Sequence, residues 1–195
     1  MKKNTLASGL AYVAVFTALV IVLAFVSIPV GTAGVPIVLQ NAAIILAGLV
    51  LGGKRGLAVG LLFLFLGLAL PVLAGGGTTL RALAGPTVGY IIGYVISPWV
   101  AGSIAYRAPR AKGARIGIFI LAGVVALLIQ YVCGAIGLMV RSGLSLTEAT
   151  VAQFAFVPVD SLKLVVAIII AYGVHAAFPD LMGATKRRAD RRANN

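Results

Sequence analysis

The chain is predicted to be all-α, an integral membrane bundle of six transmembrane helices with both termini cytoplasmic. Three observations carry that prediction. Of 195 residues, 61% are hydrophobic and only 10% charged, against about 25% charged in an ordinary soluble domain. The apolar residues fall into runs near the ~20 needed to cross a bilayer at about 1.5 Å rise each, and mean hydropathy is +1.10. The 16 lysines and arginines cluster in short groups between and after those runs. That is how loops anchor at a membrane face, so the net charge of +12 does not point to nucleic acid.

Taken in order, span one runs from about Leu6 to Ser27 and stops before Pro29 and Gly31. It follows Lys2 and Lys3, is too long for a secretory h-region and shows no cleavage site, so no cleavable signal peptide is expected. Span two runs from about Pro36 to Leu51, short enough to be partly irregular, and ends at Gly52-Gly53-Lys54-Arg55. Span three covers Gly56 to Leu73, with Pro71 near its end and Gly75-Gly76-Gly77 after it. Span four opens near Gly85-Pro86 and continues to Tyr106; span five runs from Ile116 to Val140; span six runs from about Pro158 to Ala177. Residues 1–179 thus form one membrane domain, and 180–195 a basic tail suited to lipid headgroups.

Orientation follows from the basic residues. Lys2, Lys3, Lys54, Arg55, Arg107, Arg110, Lys112, Arg115 and the tail cluster from Lys186 to Arg192 share one side. The other side has Arg81 and Arg141, and Lys163 lies within a span. The positive-inside rule places the rich side, and both termini, in the cytoplasm.

Several chemistries are disfavoured. One cysteine, Cys133, allows no intramolecular disulfide and no cysteine metal cage. A single histidine, His175, is expected at the membrane interface and supports no multi-histidine site; no metal or cofactor is expected. No nucleophile–base pair appears, so the chain is not read as an enzyme. Gly48 to Arg55 approximates a phosphate-binding loop, but Arg55 replaces the magnesium-holding hydroxyl and no strand precedes it. Any ATP use must therefore come from another subunit.

What remains is a polar set at the outward ends of the spans. Asp160 and Lys163, three apart, open span six after Pro158. A charge at mid-bilayer costs about 2.5–3.5 kcal/mol, so such residues face a partner, a cavity or a ligand; at i and i+3 they also suit a self-neutralising pair along one helix face. Gln40 stands just inside the start of span two, and Arg81 follows the three glycines, which suit a tight or moving lid. Gly85, Gly89 and Gly93 make a smooth face on span four, for helix packing or ligand approach, and Tyr90 adds a ring with a polar tip. Gln130 and Tyr131 lie mid-span in span five with no direction set, and Glu148 is expected in a solvated outer loop. Gln40, Arg81, Asp160 and Lys163 together suit a small solute carrying a carboxylate and a urea-like or amide group. On span one, Ala7, Ala11, Ala14 and Ala18 share one helical face. They serve either packing inside the bundle or docking of another membrane subunit.

Val35-Pro36-x-x-x-Gln40, Gly85-Pro86-Thr87-x-Gly89-Tyr90-x-x-Gly93 and Phe156-x-Pro158-x-Asp160-x-x-Lys163, with the six-span layout and Ala14-x-x-x-Ala18, resemble the BioY family, the biotin-specific S component of energy-coupling factor transporters. The resemblance covers the chain up to Pro179. It implies a subunit of the bacterial cell membrane that captures biotin from outside. It further implies a transmembrane coupling protein and two cytoplasmic ATPases as partners. The alanine stripe would be the docking face for the coupling protein. Asp160 and Lys163 would line the polar end of the biotin site, with Gln40, Arg81 and Tyr90 contributing. Two positions depart from the family pattern: Val38 stands where a threonine is frequent, and Val159 where a glycine is common. An S component for another vitamin, and a carrier working without ATPases, are the alternatives.

Overall fold

The computed structural model describes residues 3–28, 35–109, 111–179 and 181. Expectations resting on Lys2, Pro29, Gly31, Arg110 and nearly all of the 180–195 tail lie outside these residues. Eight α-helices account for most of the chain: α1 (Lys3–Ala24), α2 (Gln40–Leu51), α3 (Gly53–Ala69), α4 (Thr79–Ala84), α5 (Val88–Ala105), α6 (Lys112–Ser142), α7 (Leu146–Phe154) and α8 (Val157–Ala177). Two short strands, β1 (Ser27–Ile28) and β2 (Ile37–Val38), pair antiparallel.

Four helices, α1, α5, α6 and α8, are long and apolar enough to cross a membrane. The other two expected spans are shorter. At 12 residues α2 reaches about 18 Å, well below a hydrocarbon core of about 30 Å. Its register also shifts, because Ile37 and Val38 are taken by β2 and the helix starts only at Gln40. Every residue of α2 except Ala42 is buried, so neighbouring helices cover it. With 17 residues, α3 lies between these cases. Conversely α6, at 31 residues, spans about 46 Å and overhangs any bilayer.

Close backbone approach holds the bundle together. Helices in lipid gain nothing from hydrophobic exclusion, so small residues at contacts supply the packing. A Cβ on Gly89 would collide with the Cys133 carbonyl, and one on Gly137 with the Gly89 backbone, so α5 and α6 meet main chain to main chain. On the other flank of α5, Gly48 of α2 faces the Pro98 carbonyl with no room for a side chain. The span-four glycines are thus packing residues at Gly89 and Gly93; Gly85 lies outside α5, which begins at Val88.

The alanine stripe faces out of the bundle. Ala7, Ala11, Ala14 and Ala18 are all exposed, while Val13, Thr17, Val20 and Ala24 fill the buried face of α1, which packs on α2 and α3. Packing within the bundle therefore does not explain it.

Three expectations need correction. His175 is not at an interface: it is 1% exposed, and its Nε2 donates to the Leu49 carbonyl at 2.9 Å. With the Tyr106 hydroxyl donating to the Val50 carbonyl at 2.7 Å, it satisfies carbonyls that the end of α2 would otherwise leave orphaned. Glu148 is exposed but helical, not in a loop. It is the third residue of a capping box with Ser145 at the start of α7, and bonds from the Ser145 hydroxyl and backbone hold its carboxyl below the usual range. Finally α4, a single turn and a half, lies where only loop was expected.

Replacing Gly89 with alanine should push α5 off α6 and cost about 1–3 kcal/mol by overpacking. A lower melting temperature of the detergent-solubilised protein, without loss of helical circular dichroism, checks this.

Candidate functional site

The ends of α2, α5 and α8 that begin these helices converge at one end of the bundle. There they enclose a cavity of about 390 Å³, within the ~300–1,000 Å³ usual for small-ligand pockets. Its walls also take in β2, the 74–78 turn and α4. Gln40, Arg81, Tyr90, Asp160 and Lys163, separated by up to 123 residues of chain, all line it.

The charged pair sits in the wall. Asp160 and Lys163 form an ion pair at 2.5 Å, with side chains 5% and 9% exposed. Partnering decides whether such a pair is tolerable, because two desolvated charges must also have their remaining donors and acceptors met. Lys163 Nζ donates to the Val38 carbonyl at 2.6 Å and to Asn41 Oδ1 at 3.0 Å. With Asp160, that engages all three ammonium protons. Asp160 Oδ1 accepts from Asn41 Nδ2 at 3.0 Å, and Oδ2 accepts from the Tyr131 hydroxyl at 3.0 Å. A carboxylate offers about four acceptor positions, so Asp160 retains capacity for one more N–H.

Asn41 is the hinge of this arrangement, its amide donating to one charge and accepting from the other. Its backbone carbonyl accepts from Gln130 Nε2 at 3.4 Å, and the same nitrogen donates to Ser97 Oγ at 3.0 Å. The chain Ser97–Gln130–Asn41 therefore links α5, α6 and α2 to the pair on α8. Sequence reasoning passed over Asn41. The available signal was two consecutive carboxamides, Gln40 and Asn41, at the head of an apolar run.

The other lining residues divide by what they have spare. Gln40 is 2% exposed, and its Oε1 has no hydrogen-bond partner among the described residues. Tyr90 has committed its hydroxyl to Gln153 Oε1 at 2.8 Å and set its ring edge-on to Phe156, so it presents ring and not donor to the cavity. Arg81 is exposed at the mouth, and its guanidinium has no partner among the described residues. Gly75 and Gly76 adopt φ of 64° and 71°, backbone that favours glycine. They close a tight knob fastened by Leu73 N–H to the Gly77 carbonyl at 2.9 Å. Neither family departure disturbs the pair: Lys163 uses the backbone carbonyl of Val38, and Val159 is exposed on the outside of α8.

Fold and cavity together define a helical membrane protein with a mainly apolar hollow of small-solute size that holds a buried ion pair in its wall. The family model described as BioY matches residues 1–180. The biotin transporter BioY of Rhodobacter capsulatus is 40% identical over 185 residues, covering 88% of this chain and 92% of that one. The biotin transporter BioY of Rhizobium etli is 32% identical over 172 residues, covering 85% and 92%. Among solved structures, the S-component for biotin from an ECF-type ABC transporter matches with a TM-score of 0.81 at 31% identity, covering 90% of this chain and 95% of that one. The chain belongs to the BioY family, a family of transporters and not of enzymes.

Removing one member of the pair should destabilise more than removing both. Asp160→Asn leaves a buried ammonium without its anion, a loss of about 3–5 kcal/mol. The double variant D160L/K163M, with no buried charge, should melt closer to wild type. Melting temperatures of the three purified proteins give the comparison.

Proposed function

We propose that this chain is the substrate-binding S component of a biotin uptake system, taking biotin from outside the cell into the cavity at the head of α8. The observation that carries the reading is the division of cavity groups into saturated and unsaturated. Biotin has a carboxylate at one end and two ureido N–H groups at the other. Lys163 has no proton to spare, so the carboxylate goes to Arg81, the lining cation whose guanidinium has no partner among the described residues. The ureido N–H groups go to acceptors lacking donors, Gln40 Oε1 and the remaining position on Asp160. Tyr90, Tyr94 and Ile91 of α5 supply apolar wall for the thioether ring and the valeryl chain.

Topology supports the same reading. Lys54, Arg55, Arg107, Lys112 and Arg115 lie at the end of the bundle opposite the cavity, and the positive-inside rule makes that end cytoplasmic. Counting as spans both α2, which its neighbours cover, and α3, whose outer face carries the exposed Leu61, Phe65 and Leu68, gives six spans in the bacterial cell membrane with both termini inside. The knob at Gly75–Gly77 closes over bound ligand. A transmembrane coupling protein with two cytoplasmic ATPases energises the subunit. The coupling protein docks on the exposed stripe Ala7, Ala11, Ala14 and Ala18.

Isothermal titration of detergent-purified protein should show one-to-one biotin binding, with other vitamins inert. Arg81→Ala should weaken biotin about 10–100-fold, the loss of one charge-assisted bond of about 1.5–3 kcal/mol. It should leave the uncharged carboxamide of biotin unaffected. No heat with biotin, or an equal loss for both ligands, overturns the assignment.

Replacing Ala14 and Ala18 with leucine should abolish ATP-driven uptake in cells carrying the energising subunits while titrated biotin affinity stays within about twofold of wild type, since neither residue lines the cavity and distant sites act independently.

A further inference from the structure

The cavity-side end of the bundle carries two arginines, and only Arg81 is among the residues lining the hollow. Arg141, at the end of α6, reaches across 58 residues of sequence, and its Nη2 donates to the Leu83 carbonyl at 2.9 Å. Leu83 lies in the last turn of α4, the helix that carries Arg81. From this geometry we infer that Arg141 is a positioning residue for substrate recognition. It fixes α4 so that Arg81 meets the ligand's carboxylate. The inference rests on the proposed role of Arg81.

A six-residue helix has little reason to exist alone. Its nucleus costs more than so short a run returns, and its last carbonyls have no partner within the helix. The first end of α4 is fastened twice. Thr78 caps it by accepting from the Arg81 N–H at 3.3 Å, and the Thr79 hydroxyl donates to the Leu64 carbonyl of α3 at 2.8 Å. Gly67 makes that approach possible, since a Cβ there would collide with the Thr79 hydroxyl. At the other end, the Leu83 carbonyl takes the Arg141 guanidinium. An arginine suits this place because a charge-assisted bond to a carbonyl at a helix end also meets the negative end of the backbone dipoles.

Arg81 stands two residues before Leu83 and three after Thr78, between the two fastenings. With Arg141 removed, that end of α4 keeps only the Gly85 N–H to the Ala82 carbonyl at 3.2 Å and its packing on α5, and the direction of the Arg81 side chain spreads over more orientations. Ordering it again on binding costs affinity. That loss falls on the carboxylate end of the ligand alone.

The test is titration of biotin and of its uncharged carboxamide into detergent-purified wild type, Arg141→Ala, Arg141→Lys, Arg81→Ala and the double variant. Arg141→Ala should weaken biotin about fivefold, the scale of one exposed charge at a helix end, and leave the carboxamide unchanged. Arg141→Lys, which keeps a charged donor, should recover most of that loss. In the Arg81→Ala background, Arg141→Ala should add nothing, because the residue it positions is gone. Equal weakening of both ligands, additive losses in the double variant, or wild-type affinity in Arg141→Ala overturns the inference. A wild-type protein that ignores biotin would instead overturn the functional reading on which it rests.

Discussion

A buried carboxylate and a buried ammonium impose a strict condition on the elements around them: every spare donor and acceptor must be met locally, or the desolvation of both charges is uncompensated. Here all three ammonium protons and three of the about four carboxylate acceptor positions are met, by elements far apart in sequence. Lys163 needs the Val38 carbonyl and Asn41, which requires β2 and the start of α2 to lie against the first turn of α8. Asp160 needs Asn41 and Tyr131, which fixes the rotation of α6. Asn41 needs its own backbone held, which Gln130 does from α6 while bonded to Ser97 of α5. The pair thus specifies how four helices meet at one end of the bundle. Replacement by well-packed apolar residues would match its stability, so its value lies in what it arranges.

At the other end, α2 is fixed by different means. His175 and Tyr106 bond to its last carbonyls, and Gly52, at φ of 82°, turns the chain into α3. A twelve-residue helix anchored at both ends and covered nearly throughout has little freedom to shift along its axis. It connects the cavity, through Gln40 and Asn41, to the opposite end of the protein. It also lies against α1, whose outer face bears the alanines.

Legibility in the sequence followed the range of the interactions involved. Long apolar helices announce themselves by composition, and α1, α5, α6 and α8 stand close to where the apolar runs place them. Charges inside apolar runs are equally visible, because their cost makes them rare; Asp160 and Lys163 stand out for that reason, and Gln40 as a carboxamide at the head of an apolar run. What could not be read was anything decided by distant approach. Asn41 looks unremarkable until α8, about 120 residues later, brings two charges to it. The period of the alanines on α1 was evident, but not whether their face turned inward; Val13, Thr17 and Val20 settle that by occupying the inner side. The short elements β1, β2 and α4 were missed because what holds them is distant in sequence: β1 and β2 pair with each other, the Leu83 carbonyl of α4 accepts from Arg141, and Thr79 of α4 donates to the Leu64 carbonyl of α3. His175 was misplaced because nothing near it in sequence reveals the Leu49 carbonyl.

The charge balance of the cavity bears on transport as well as recognition. Asp160 and Lys163 cancel, so Arg81, unpaired among the described residues, leaves the described lining of the hollow with one net positive charge. If the glycine knob closes as proposed, it would enclose that exposed charge uncompensated, at a cost of several kcal/mol, which opposes closure without a ligand. On the proposed reading, a bound carboxylate brings the balance to zero and removes that penalty. Closure would then be coupled to occupancy by electrostatics alone, with no separate sensor for the ligand. A neutral analogue that fills the same volume would bind through its ureido end yet leave the charge of Arg81 in place. Selectivity for the anion would therefore be sharper in uptake, which requires closure, than in equilibrium binding, which does not.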